Sequence, residues 1–225
     1  MAKTRIAVLI SGRGSNLQSL IDAAADDDYP AKIALVLSNR PAAKGLDRAT
    51  AARIPTKIID HKAYGDKAQN YEDGRTDFEA AISDALDDAD IDYVCLAGFM
   101  RMLTGEFVNQ RRGRILNIHP SLLPAFKGLN VHERMINSGV KIAGCTVHFV
   151  TPEMDAGPIV GQAAVPVAPG DTPQLLAERI LEQEHKLYPR CVALLASGKA
   201  RLSAGGLVLF DDDERSADAL ANPGR

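Results

Sequence analysis

Apolar residues along the chain fall in short unbroken runs that alternate with segments of helical spacing. Arg5-Ile6-Ala7-Val8-Leu9-Ile10 is the first run. It lacks the alternation of a half-buried strand, so it predicts a central parallel strand covered on both faces. Ser11-Gly12-Arg13-Gly14-Ser15-Asn16 interrupts it, and Leu17, Leu20, Ile21 and Ala24 then recur at helical spacing. Further strands are predicted over Ile33 to Leu37, Thr56 to Ile59 and Asp92 to Ala97, and a short one over Gly113-Arg114-Ile115-Leu116. Helices are predicted over Ala42 to Ala52 and around Phe78, Ile82, Ala85 and Leu86, with Arg75 just before the latter. This order implies a parallel sheet with right-handed crossovers.

The second half reads differently. A helix spans His132 to Ser138. Two β-rich runs, Lys141 to Val150 and Ile159 to Val167, flank the turn-rich Thr151-Pro152-Glu153-Met154-Asp155-Ala156-Gly157-Pro158. They predict an antiparallel hairpin on the sheet edge. Thr172 and Pro173 open a long helix as N-cap and first residue. Its apolar stripe runs Leu176, Ile180, Leu187, Cys191, Leu194, Leu195, and Pro189 is expected to kink or interrupt it. A small hairpin follows around Gly205-Gly206, and the acidic tail from Asp211 is expected to be mobile. The fold class predicted is α/β, an open, doubly wound, mostly parallel Rossmann-like sheet with an antiparallel edge hairpin and a long C-terminal helix.

Composition narrows the function classes. With 46% hydrophobic and 24% charged residues, the chain reads as an ordinary globular protein. A net charge of −3, no basic run and no Trp argue against a nucleic-acid partner. No apolar run reaches about 18 residues, so no membrane span is predicted. The N-terminus enters a strand directly, without a signal pattern, and a cytoplasmic location is expected. Cys95, Cys145 and Cys191 stand apart among apolar neighbours, which suits buried free thiols rather than a zinc cage.

Three stretches carry candidate chemistry. Asn117-Ile118-His119-Pro120-Ser121 places an amide and an imidazole at alternate strand positions, on one face. Pro120 holds His119 extended and ends the pairing. A donor beside a titratable group suits an oxyanion and a proton transfer, though a hydrogen-bonded strand end accounts for the same residues. The glycine turn can bind an anion through backbone N–H groups at a helix start, with Gly14 giving close approach and Ser15 and Asn16 adding donors. A tight strand-to-helix turn explains it as well. Leu17 replaces the third glycine of a dinucleotide fingerprint, and Ser38-Asn39-Arg40 supplies no acidic residue after the second strand. One phosphate therefore fits better than a pyrophosphate. Gly98-Phe99-Met100-Arg101-Met102-Leu103 is apolar where a polar loop is expected, so it lines a pocket or packs beneath itself. This strand end and that of His119 can converge on one crevice. Asp155 can lean back toward His119 or stand as an ordinary loop aspartate. His148 faces the same crevice or is satisfied within the sheet. His61 reads as solvated. Glu184 lies in the apolar stripe, where a carboxylate is costly unless paired internally or met by a ligand.

In combination, Ile10-Ser11-Gly12-x-Gly14-Ser15-Asn16, Leu96-Ala97-Gly98-Phe99-Met100-Arg101, Asn117-Ile118-His119-Pro120-Ser121-Leu122-Leu123-Pro124, Val150-Thr151-Pro152-x-x-Asp155-x-Gly157-Pro158 and Gln183-Glu184-His185 resemble the phosphoribosylglycinamide formyltransferases. These are folate-dependent enzymes of purine biosynthesis. The resemblance covers residues 5 to about 210. It implies one formyltransferase domain over 1–210, with the phosphate-binding half at 1–110, the catalytic and folate-binding half at 111–210, and the tail at 211–225. Asn117, His119 and Asp155 would be catalytic. Gly14, Ser15, Asn16 and Glu184 would hold the ribonucleotide. Arg75, Met100, Arg101, Met102, Leu103, Asn117, Thr151 and Asp155 would meet the folate, and Ser121 would position substrate. The co-substrate implied is 10-formyltetrahydrofolate, with no metal, in a monomer or homodimer. Arg13 within the glycine turn and the acidic tail depart from the pattern.

Other readings are weighed against this one. A formyltetrahydrofolate deformylase shares the Asn, His and Asp set but passes the formyl group to water, and it is expected to carry an N-terminal regulatory domain. A methionyl-tRNA formyltransferase is expected to add a basic C-terminal domain. An NADP-binding module, with Arg40 on the extra phosphate, lacks its third glycine. A non-catalytic folate-binding protein would leave the trio idle.

Overall fold

The computed structural model describes residues 2–64 and 73–211, the side chains of 73–75 excepted. The chain divides into two compact units, Met1–Asn117 and Ile118–Arg225.

The first unit is built as the apolar runs predict. Strand β1 (Thr4–Ile10) is buried from Ile6 onward, as an unalternating run requires. Helix α1 (Ser15–Ala24) follows the glycine turn, and strand β2 (Ala31–Ser38) pairs with β1 in parallel. Helix α2 (Gly45–Ala51) leads to the exposed strand β3 (Thr56–Ile58). Helix α3 (Asp73–Asp88) buries Phe78, Ile82, Ala85 and Leu86, its predicted stripe. Strand β4 (Tyr93–Leu96) joins β1 on the side opposite β2. A short helix α4 (Gly105–Gln110) then precedes strand β5 (Ile115–His119). The chain thus winds from β1 outward to β3 and returns across β1 to β4. Such a reversal, here at the carboxyl ends of β1 and β4, is where open α/β sheets bind ligands.

In the second unit, helix α5 (Val131–Asn137) precedes strands β6 (Ile142–Phe149) and β7 (Ile159–Pro166), which pair antiparallel as predicted. Helix α6 (Pro173–Ala196) packs on both strands. Its N-cap is Thr172, whose hydroxyl accepts from Leu175 N at 3.2 Å. Val131, Met135, Cys145, Val165, Leu176 and Ile180 form the core. Strands β8 (Ala200–Leu202) and β9 (Val208–Phe210) make a separate hairpin. The seven long-sheet strands run in the order β3-β2-β1-β4-β5-β6-β7.

Helix α6 continues through Pro189, which is buried, so of the expected kink or interruption the interruption does not occur. One expectation fails. His61 is not solvated: its Nδ1 lies 2.8 Å from the Asn39 carbonyl in a 3-10 turn, His61–Tyr64. The polar stretch 65–72 and the tail beyond Asp211 lie outside the described residues.

The three cysteines are free and buried. Burial, then the Glu184 carboxylate, pushes the Cys145 thiol up to about 12. Burial, then Cys145, does the same to Cys191, also about 12. Since only the thiolate reacts, a disulfide reagent at pH 8 should label these two roughly a thousand-fold more slowly than an ordinary thiol of pKa about 8.5. All three should react at once in denaturant. Fast labelling of the native protein would contradict this burial.

Candidate active site

The glycine turn stands at the carboxyl end of β1, before α1. Gly14 is the N-cap of α1 in the left-handed region, φ 69°, and no side chain caps the helix. A Cβ on Gly14 would come within 2.7 Å of the Gly45 Cα, so both conformation and space demand glycine. An uncapped helix start leaves backbone N–H groups for an anion. Ser15 is half-buried and Asn16 buried.

The loop from Gly98 to Leu103 leaves β4 beside this turn. Met100 N donates to Ser11 Oγ at 2.7 Å, which joins the two loops. Phe99 packs inward, whereas Met100 and Met102 are 64% and 53% exposed. Arg101 and Leu103 are half-buried. Asn117, half-buried, is the register partner of Leu96 at the end of β4. Arg75 falls in the first turn of α3, and its side chain lies outside the described residues.

In the second unit, His119 closes β5 and is buried. Its Nε2 lies 3.0 Å from the Phe126 carbonyl and its Nδ1 3.5 Å from Asp155 Oδ2. Both ring nitrogens thus face oxygen acceptors. Asp155 reaches His119 from the β6–β7 loop, as one sequence reading expects. It adopts φ 49°, a conformation Asp tolerates better than most residues. Its Oδ2 also accepts from Gly128 N at 2.8 Å. Gly157 makes this loop possible, because a Cβ there would sit 1.8 Å from the Phe149 carbonyl oxygen. Thr151 Oγ1 donates to the Glu153 carbonyl at 3.1 Å and tightens the turn.

His148 meets the same carboxylate, with Nε2 3.8 Å from Asp155 Oδ1, while Nδ1 donates to the Phe149 carbonyl at 2.9 Å. Burial lowers its pKa, against the pull of the Phe149 carbonyl and Asp155. His148, its pKa held down by burial, therefore lies beside the His119–Asp155 pair. His132 of α5, which the sequence reading did not single out, also has its pKa lowered, by burial and then by His119.

Ser121 is tied within its own segment. It is fully buried and donates to the Ala125 carbonyl at 2.7 Å. Buried Thr146 fastens the same segment, accepting from Leu123 N at 3.0 Å and donating to the Ser121 carbonyl at 2.7 Å. Glu184 lies buried on α6 near Cys145. Among the described residues no helix is long and apolar enough to cross a membrane.

Known proteins resemble the chain along most of its length. It is 44% identical to the phosphoribosylglycinamide formyltransferase of Haemophilus influenzae, over 88% of this chain and 90% of that protein. It is 50% identical to the trifunctional purine biosynthetic protein adenosine-3 of Bos taurus over 92% of this chain. It spans only 20% of that longer relative. The solved glycinamide ribonucleotide transformylase 1 of Symbiobacterium toebii superposes with a TM-score of 0.86 at 45% identity, covering 93% of this chain and 95% of that one. The formyl transferase profile matches residues 4–192, and the chain belongs to the formyl transferase family.

Proposed function

We propose that the protein transfers the formyl group of 10-formyltetrahydrofolate to the amine of 5-phosphoribosylglycinamide in purine biosynthesis. The observation that carries this reading is the buried His119 with Asp155 at 3.5 Å, at the end of the strand that holds Asn117. The relatives' names support the choice of substrates.

The chemistry follows from these groups. The acceptor amine has a pKa of about 8 and must be neutral to attack the formyl carbon. The tetrahedral oxyanion accepts hydrogen bonds from the Asn117 amide and from His119 as imidazolium. Asp155 orients His119 and opposes its charge. An oxygen that reaches Nε2 replaces the Phe126 carbonyl as its acceptor, so the segment 121–128 yields as substrate enters. As the bond between the formyl carbon and the folate nitrogen breaks, the proton shed by the attacking amine passes to that nitrogen through His119 or water. Gly14, Ser15 and Asn16 hold the phosphate, and Glu184 contacts the ribonucleotide. Arg75, Met100, Arg101, Met102, Leu103 and Thr151 line the folate side.

Donor labelled with carbon-13 in the formyl group tests this directly. The label should appear in the N-formyl amide of the ribonucleotide. Label found only in formate would overturn the assignment and make the protein a deformylase.

A further inference from the structure

Glu79 is a carboxylate on α3, only 5% exposed. Burying a carboxylate is costly, and a core made only for stability would place an apolar residue there. Glu79 is held by, among others, Thr104, the residue directly after the Gly98–Leu103 loop. Glu79 Oε1 accepts from Thr104 N at 2.6 Å, and Oε2 accepts from the Thr104 hydroxyl. That hydroxyl in turn accepts from Phe107 N at 3.2 Å and caps α4. One carboxylate thus fixes both the end of the loop and the start of the next helix.

The loop is fastened a second time. Ser11 Oγ accepts from Met100 N and donates to Asn39 Oδ1 at 2.6 Å, and Asn39 is fully buried. Between these anchors Met100 and Met102 stay mostly in water. A backbone held by buried polar groups while it presents two large, polarisable side chains is a preformed surface for a flat apolar ligand.

We infer that Glu79, with Ser11 as the second anchor, is a positioning residue that holds the Gly98–Leu103 loop in its binding shape for the folate co-substrate. This rests on the proposed formyl transfer, which assigns the loop to the folate side. Glu79 acts through Thr104.

The test measures tetrahydrofolate binding by calorimetry, and steady-state kinetics with both substrates, on the full chain. Glu79→Ala should weaken tetrahydrofolate binding and raise the KM for 10-formyltetrahydrofolate by about ten-fold, in the range for losing preorganisation at one site. The ribonucleotide KM and kcat at saturation should stay within about three-fold. Thr104→Val should behave like Glu79→Ala, and Thr104→Ser, which keeps both donors, should bind like the unmodified protein. If Glu79→Ala fails to fold, Thr104→Val makes the same comparison. Unchanged folate binding in these variants, with only a lower Tm, would overturn the inference and leave formyl transfer standing. An unmodified protein that binds no tetrahydrofolate would overturn both.

Discussion

An Asp155→Asn protein should lose formyl transfer by about 10²–10⁴-fold in kcat, the range for disabling acid–base machinery. The substitution keeps the size of the side chain and removes its charge. Asp155 accepts from Gly128 N and lies 3.5 Å from His119 Nδ1. Both contacts fall on Oδ2, so an amide oxygen in that place keeps them while the amide nitrogen takes the position facing His148, and what the substitution takes away is the negative charge beside the ring. Asp155 also lies on a loop fixed by Gly157 rather than by its own carboxylate, so the backbone should hold. The expected pattern is a collapsed kcat with little change in Tm or in either KM. Steady-state kinetics beside thermal unfolding would check this. A kcat within ten-fold of the unmodified protein would remove Asp155 from the proposed chemistry.

His119→Ala should cost at least as much, about 10²–10⁴-fold. In the proposed mechanism it removes a donor to the oxyanion and a route for a proton to the folate nitrogen. The more telling result is the double variant. Groups that act as a unit are not additive, so His119→Ala with Asp155→Asn should be no slower than the slower single variant. Multiplied losses would mean that the two residues act independently. His148 faces Asp155 in the same buried cluster but donates to the Phe149 carbonyl. It cannot replace His119 without leaving that partner.

How much of this was legible in the sequence differs from element to element. Unalternating runs announced β1 and β4, because burial on both faces imposes continuous apolarity. The Thr172-Pro173 pair announced the start of α6, because capping chemistry is local. Asn117, His119 and Asp155 were legible as motif residues. The sequence left open whether Asp155 reaches His119, since the answer depends on a loop shaped by Gly157 against Phe149. Where the Ser121 hydroxyl would point was not legible either, because its acceptor, the Ala125 carbonyl, depends on how the segment after it folds. His61 went wrong because its acceptor, Asn39, stands 22 residues earlier. Helix α4 passed unremarked, although Thr104 followed by Phe107 and Val108 carries its N-cap and its buried face. Glu79 gave no signal at all. A glutamate in an amphipathic helix looks like a solvated residue until its partner, 25 residues on, is seen.

The central claim is transfer of a formyl group to a ribonucleotide rather than to water, and folate release measured with and without the acceptor tests it most directly. With 10-formyltetrahydrofolate and 5-phosphoribosylglycinamide together, folate absorbance should change at a rate that saturates in the ribonucleotide. With the ribonucleotide omitted it should not change above background. Equal release in both would contradict the account and leave the His119–Asp155 pair serving hydrolysis.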